Sequence, residues 1–352
     1  MAARGRYTIA RMGGVPHGAP GQRSLVDRFA RVHDELRISV TDRCNLRCAY
    51  CMPAKPVWFP RAEILSYEEI LRVVRILIRR GVSRFRITGG EPLVRSGITS
   101  FVAMMAETPG VEELSLTTNG LLLSTLAPGL ARAGLGRINV SLDTLVPERF
   151  ARMTGRPALP SVLDGLEAAF RAGIRPIKIN TVLLRGENDD EVESLVDRAR
   201  RSAWEVRFIE VMPLENGGIW DLTRVVSGTE VRQRIERHWP LEEDPDGDPR
   251  APATRFLFRD GRGAVGFINS VTEPFCAQCS RIRLTSDGQF RVCLHDPAER
   301  DLKAQLRGGA ADAALEAAME DAMQGKGRGG ALEILERHAR VPPVRTMHQI
   351  GG

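Results

Sequence analysis

Cys44, Cys48 and Cys51 fall within eight residues, spaced C-x3-C-x2-C in the stretch VTDRCNLRCAYCMP. Three thiolates on one short loop can converge on one metal centre. An iron–sulfur cubane normally takes four protein cysteines, one per iron, so a loop that offers three leaves one iron open to a substrate or cofactor. An open coordination position is what separates catalytic metal sites from closed structural ones. A zinc clip or a disulfide loop are the alternatives, although zinc clips usually show C-x2-4-C pairs and disulfides need an oxidising compartment. A second triplet, Cys276, Cys279 and Cys293, is spaced C-x2-C-x13-C, and the six together are all the cysteines of the chain. That spacing holds iron–sulfur or zinc, and the nearby His295 keeps a Cys3His zinc site in view. A chain that already carries one iron–sulfur loop favours the cluster.

Basic residues lie where a strand would bury them. Arg281 and Arg283 alternate on a predicted strand and so point to one face, where two guanidiniums repel unless an anion such as a polyphosphate lies across them. Arg37 and Arg86 fall on predicted parallel strands, which are mostly buried. Lys178 interrupts an apolar run in another, and an unpaired buried lysine calls for an anionic partner. Polar or unusual residues also recur where strands end: Thr88-Gly89-Gly90, Thr117-Thr118-Asn119, Ser141 with Asp143, Lys178 with Asn180, and Met212. Parallel α/β folds bind ligands at the carboxyl edge of the sheet.

The elements that must position these groups follow a rhythm. Strands are predicted at 36–40, 84–88, 113–117, 137–142, 175–184 and 205–212. Helices are predicted at 67–80, 98–107, 122–133, 161–172 and 189–201. Repeated strand–helix units argue for a parallel sheet with right-handed crossovers, and six units fall short of the eight in a closed barrel. The expected fold is α/β: a partial (β/α)6 TIM-like barrel, with a flat doubly wound sheet as the alternative. After Met212 the rhythm breaks. A loop at 216–223, a helix at 229–238, an acidic surface loop at 241–252 and hairpins across 254–268 and 281–294 predict a C-terminal α+β extension. An Ala-rich helix at 310–323 and a flexible hinge at 325–330 follow. The predicted division is a flexible leader over 1–32, the barrel over 33–225, an auxiliary-cluster region over 226–330 and a tail over 331–352.

The chain has 352 residues, 43% hydrophobic and 27% charged, with a net charge of +6. That balance suits a soluble protein taking a small anion, and is too diffuse for nucleic acid. No apolar run reaches spanning length, and no export signal is visible. A cytoplasmic protein with metal-bound thiolates is expected.

CNLRCAYC, with an aromatic residue before the third cysteine, resembles the cluster loop of the radical S-adenosylmethionine (SAM) enzymes. From Leu36 onward the chain is similar to one family among them, the GTP 3′,8-cyclases. The resemblance implies two 4Fe-4S clusters, on Cys44, Cys48 and Cys51 and on Cys276, Cys279 and Cys293. It implies SAM contacts at Tyr50, Gly90, Ser141 and Met212, and GTP contacts at Arg37, Arg86, Thr117, Lys178 and Arg281-Ile282-Arg283. It gives catalytic parts to Arg281, Arg283 and a Gly351-Gly352 tail that reaches the active site. The implied reaction removes the C3′ hydrogen of GTP with a 5′-deoxyadenosyl radical and joins C3′ to C8, the first step of molybdenum cofactor synthesis. Implied partners are a flavodoxin or ferredoxin as reductant and cyclic pyranopterin monophosphate synthase as recipient of the product, with a monomer or homodimer as the working unit. A radical SAM enzyme acting on another substrate, such as a peptide, and a zinc-stabilised module binding RNA are the competing readings.

Overall fold

Short runs rich in Ile, Val, Leu and Phe form the parallel strands that carry the site. The computed structural model describes residues 24–213, 221–337 and 345–351. Strands β1 (Glu35–Ser39), β2 (Arg84–Thr88), β3 (Glu113–Thr118), β4 (Arg137–Ser141), β5 (Ile177–Leu183) and β6 (Glu205–Glu210) pair side by side in chain order, all parallel. The connections carry α1 (Tyr67–Ile78), α2 (Ile98–Ala106), α3 (Leu123–Arg132), α4 (Pro147–Thr154), α5 (Leu159–Arg171) and α6 (Val192–Ser202). Helix α1 starts at a capping box, with Ser66 and Glu69 each accepting from the other's backbone N–H. Its Ile70, Val73, Val74 and Leu77 are fully or almost fully buried. Helix α4 was not anticipated: Pro147 opens it and Gly155, at φ 73°, closes it.

The strands after residue 225 build no sheet of their own. They lengthen the barrel sheet at both edges. Helix α7 (Gly228–Glu236) leads to β7 (Leu241–Glu243), β8 (Thr254–Phe258) and β9 (Ala264–Ile268), and β9 pairs parallel to β6. On the other edge β10 (Arg281–Leu284) runs parallel to β1, followed outward by β11 (Gln289–Arg291) and β12 (Arg300–Asp301). The twelve strands form one sheet in the order β12-β11-β10-β1-β2-β3-β4-β5-β6-β9-β8-β7. Helices α8 (Leu302–Arg307), α9 (Asp312–Gln324), α10 (Gly330–Arg337) and α11 (Met347–Ile350) complete the chain.

The segment predicted as an acidic surface loop begins instead as edge strand β7. Its later residues cross the amino ends of the central strands. Asp248 pairs with Arg84 at 3.0 Å, and Arg250 with Asp34 at 2.6 Å. A contact between the β7–β8 connection and the start of β2 requires the sheet to curl, as in an open barrel.

The chain's two ends are also better anchored than composition suggested. The leader was expected to be flexible through residue 32, but Leu25 is 2% exposed and its N–H donates to the Arg80 carbonyl at 3.0 Å. A bridge between Val26 and Val32 closes this turn. Residues 1–23 and part of the 216–223 loop lie outside the described residues. The hinge predicted at 325–330 is close-packed: a Cβ on Gly329 would sit 2.4 Å from the Cys276 Cβ. Of the tail, residues 345–351 dock. Arg345 makes two bonds to Asp287, at 2.9 and 2.8 Å, and one to Glu299 at 2.6 Å. Gly351 (φ 87°) packs where a Cβ would lie 2.9 Å from that of Ser39. Among the described residues, no helix is long and apolar enough to cross a membrane.

Arg345→Ala, which leaves Asp287 without its cation and Glu299 with Arg291 alone, is expected to release the tail. Amide exchange at Ile350 and Gly351 should accelerate at least tenfold while α1 stays protected. Unchanged protection at both positions would contradict this latch.

Candidate functional site

Parallel register sets lateral neighbours on the same face of a sheet. Arg37 lies beside Arg283 on β10 and Arg86 on β2, Arg86 beside Ser115, and Ser115 beside Arg137. Two positions further along, Thr117, Asn139, Lys178 and Glu205 form a second row. Arg283, Arg37, Arg86, Thr117 and Lys178, predicted from scattered positions, therefore line one interior face. Lys178 is the second residue of β5, so it belongs to the amino half of its strand and not to the strand end where it was expected. Ile282 is fully buried in the apolar core on the opposite face, which leaves only its backbone to serve a ligand.

Among the described residues three carboxylates balance this positive face only in part: Glu113, which pairs with Arg137, Glu35 and Glu205. Glu35 pairs with Arg37 at 3.2 Å and with Arg86 at 3.3 Å. Burial pushes its carboxyl up, but Arg86, Arg37 and Arg281 outweigh it and hold the group far below the usual carboxylate range. Burial and then Arg86 bring the Arg37 guanidinium down to about 10, and burial followed by Arg37 lowers Arg283 strongly. Glu205 accepts from Arg207 at 2.7 Å and from Arg255 at 3.0 Å, and stands 3.8 Å from Lys178. Burial, then Arg207, push Lys178 down to about 7. The docked tail meets the same face, where the Arg283 guanidinium donates to the Gly351 carbonyl at 2.5 Å. Gly352 lies outside the described residues.

The first cysteine triplet occupies the connection between β1 and α1, at the carboxyl edge. Its shape is set by the Gly89-Gly90-Glu91-Pro92 turn after β2. The Gly90 N–H donates to the Thr41 carbonyl at 2.6 Å, and that of Glu91 to Arg43 at 2.8 Å. A Cβ on Gly90 would lie 2.4 Å from the Asp42 carbonyl oxygen and 2.5 Å from that of Arg43. Glu91 ties this turn to β3, accepting from Thr118 Oγ1 and the Asn119 N–H, both at 2.7 Å. Asn119 Nδ2 then donates to Asn45 at 2.7 Å and reaches Cys44 Sγ at 3.7 Å. On the other flank, the Tyr50 hydroxyl donates to Asp143 at 2.6 Å. Ser141 lies beside Asn180, whose Oδ1 is shut off from solvent and has no partner among the described residues. Met212, half-buried, follows β6 at the same edge.

The second triplet lies at the opposite, amino edge. Cys276 and Cys279 immediately precede β10, and Cys293 follows β11 rather than lying on it. The Arg281 Nε donates to Cys279 Sγ at 3.4 Å. Burial raises the Cys279 thiol, but Arg281 and Lys326 prevail and bring it down to about 6. His295 is half-buried, and its Nδ1 has no partner among the described residues.

All six cysteines are free, which removes the disulfide reading. Burial and then neighbouring cysteines push Cys48 well up, Cys51 to about 12, and Cys276 upward. A bound cation would displace the protons of these buried thiols. Yet among the described residues no three His, Cys, Asp or Glu side chains are grouped to hold a single metal ion. One tetrahedral zinc, with Zn–S near 2.3 Å, would need sulfurs within about 4 Å of each other. A cubane, which gives each sulfur its own iron, fits both triplets better.

Glu35, Glu205, Glu91 and Asn139 were not picked out as functional from sequence. A signal existed for the first two: Glu35-Leu36-Arg37 and Glu205-Val206-Arg207 are the same E-x-R pattern, each opening a buried parallel strand.

Residues 38–199 match the family model of the radical SAM superfamily, and residues 204–331 the model described as Molybdenum Cofactor Synthesis C. A GTP 3′,8-cyclase of Moorella thermoacetica is 45% identical over 329 residues, 93% of this chain and 100% of that protein. One of Rhodopirellula baltica is 43% identical over 96% of this chain and 95% of its own. The mitochondrial GTP 3′,8-cyclase of Arabidopsis thaliana is 40% identical over 93% and 83%. Among solved structures, Streptococcus suis SuiB bound to S-adenosylmethionine shares the fold at a TM-score of 0.59 and 16% identity, covering 80% of this chain and 66% of that one.

Gly90→Ala should destabilise the protein by about 1–3 kcal/mol, because the backbone carbonyls it meets cannot move without shifting the cysteine loop. Gly136→Ala, whose Cβ would meet its nearest atom at 3.7 Å, serves as the control. Thermal unfolding distinguishes the two, and equal melting temperatures would count against the close approach.

Proposed function

Because this chain belongs to the GTP 3′,8-cyclases of the radical SAM superfamily, we infer that its interior face binds GTP between two iron–sulfur centres and closes the C3′–C8 bond there. It is an enzyme of the first step of molybdenum cofactor biosynthesis. The observation that carries the assignment of residues is the row Arg283–Arg37–Arg86, with Lys178 nearby, buried between two cysteine triplets and matched by fewer carboxylates than cations among the described residues.

Cys44, Cys48 and Cys51 would hold the SAM-binding 4Fe-4S cluster, and Cys276, Cys279 and Cys293 an auxiliary one. The first cluster, when bound and reduced, supplies the electron that splits SAM into methionine and a 5′-deoxyadenosyl radical, because no side-chain acid or base can open an unactivated C–H bond. Tyr50, Gly90, Ser141 and Met212 border the SAM position, and the unpartnered Asn180 Oδ1 faces the same edge as a ready acceptor. Arg37, Arg86, Arg283 and Lys178 take the triphosphate, while Thr117 and Arg281 flank it and Ile282 offers its backbone. Charge-assisted bonds from fixed guanidiniums hold the ribose still, so that one hydrogen is presented to the radical. The tail, docked through Gly351 on Arg283, covers this chamber against water. Electrons would come from a flavodoxin or ferredoxin. The product would pass to cyclic pyranopterin monophosphate synthase, in the cytoplasm, from a monomer or homodimer.

Anaerobically reconstituted protein should bind about eight irons, two clusters' worth. It should form 5′-deoxyadenosine only when GTP is present. Cys44→Ser should abolish that product, and a fully active Cys44→Ser protein would overturn the role of the first loop.

Lys178 gives a pH signature. A phosphate binds the protonated amine, and the free protein holds that amine near 7. GTP affinity should therefore fall as pH rises above 7, by up to about tenfold per pH unit. In Lys178→Gln, affinity should be lower at pH 6.5 and lack this component. Titration calorimetry of both proteins from pH 6.5 to 8.5 measures it, and parallel profiles would exclude Lys178 from the phosphate site.

A further inference from the structure

Lys326 is a buried lysine that the reaction as described leaves without a part. It is 2% exposed and sits on the turn between α9 and α10. Its Nζ donates to the Arg281 carbonyl at 3.1 Å, stands 4.0 Å from Cys279 Sγ and 3.5 Å from His33 Nδ1. A buried ammonium requires compensation, and no carboxylate pairs with it directly among the described residues. Behind it lies a chain of buried groups. His33 Nε2 is 3.0 Å from Asp27 Oδ2, and Asp27 also accepts from Arg31 Nε at 2.6 Å. An ammonium can only donate, so His33 Nδ1 accepts and its Nε2 carries the proton toward Asp27. Arg31 extends the brace, donating to the carbonyls of Cys276 at 2.9 Å, Arg328 at 2.6 Å and Gly327 at 2.7 Å. The brace of Asp27, Arg31 and His33 is built by residues 24–33, a segment outside the α/β alternation, and through Lys326 it ends on the sulfur of Cys279.

We propose that Lys326, aimed by Asp27 and His33, is a positioning residue whose fixed positive charge beside Cys279 raises the reduction potential of the cluster held by the second triplet. The inference rests on the reading that Cys276, Cys279 and Cys293 bind such a cluster. Reduction adds a negative charge to the cluster, and an N–H donor and cation within reach of a ligand sulfur stabilise that form. The burial that makes the ammonium costly also keeps water from screening it.

The test uses the full-length chain with Cys44, Cys48 and Cys51 replaced by alanine, so that any cluster present belongs to the second triplet. Iron and sulfide are counted first, and the potential is then read by a redox titration followed by electron paramagnetic resonance. Lys326→Gln and the near-isosteric Lys326→Met should each lower the potential, by at least the 59 mV that corresponds to a tenfold change in a one-electron equilibrium. Lys326→Arg should restore most of the shift, which a merely space-filling role would not. A parent protein that binds no iron at the second triplet overturns the cluster reading and this inference with it. A parent with a full cluster whose potential is unchanged in both Lys326→Gln and Lys326→Met overturns the role of Lys326 alone. Should one of these two variants fail to fold, the other decides.

Discussion

An excess of buried positive charge is the constraint on which the rest of this structure depends. Register alone sets Arg283, Arg37 and Arg86 abreast across three adjacent strands. Glu35 neutralises part of that charge, and Glu205 does the same for Lys178 and Arg207. The remainder has no carboxylate partner among the described residues, and inside the barrel solvating a charge is expensive. Folding tolerates this because the apolar face of the same strands packs Leu36, Ile38, Phe85 and Ile87 against the helices with almost no exposure. The basic chamber is thus a cost of the fold, of the kind that a bound polyanion would relieve.

Much of the barrel was legible in the sequence. The six parallel strands fell where apolar runs end in polar turns, and most boundaries lie within a residue or two of expectation. Residues of the interior basic face were legible when they broke a local rule, as Lys178 does in an apolar strand or Arg281 and Arg283 do on one face. What escaped was whatever depends on pairing between distant segments. Strand β10 reads as half of a hairpin, and it is one, but it also joins β1 in parallel. No local pattern announces that edge. The cap formed by residues 24–33 escaped for a similar reason. Its value comes from Lys326, Arg281 and Cys276, hundreds of residues away, whereas composition around it speaks only of a polar leader.

Edge extension explains why the region after residue 225 carries chemistry without being a separate unit. Adding β10 beside β1 continues the row of arginines and delivers Cys276 and Cys279 to the amino ends of the strands. Adding β9, β8 and β7 beside β6 supplies Arg255 to Glu205 and sends Asp248 and Arg250 across to β2 and Asp34. Ion pairs with this reach are individually modest where exposed. Here they hold a curled sheet at the one place where no backbone ladder closes it.

The two cysteine triplets are separated by the height of the sheet. Between the start and end of β1 the rise is about 13 Å, at some 3.3 Å per residue, with the first triplet beyond one end and the second beside the other. A strand of this length works as a spacer. It holds the two sets of thiols too far apart to serve one centre, and it leaves the row of basic side chains as the floor of the interval between them.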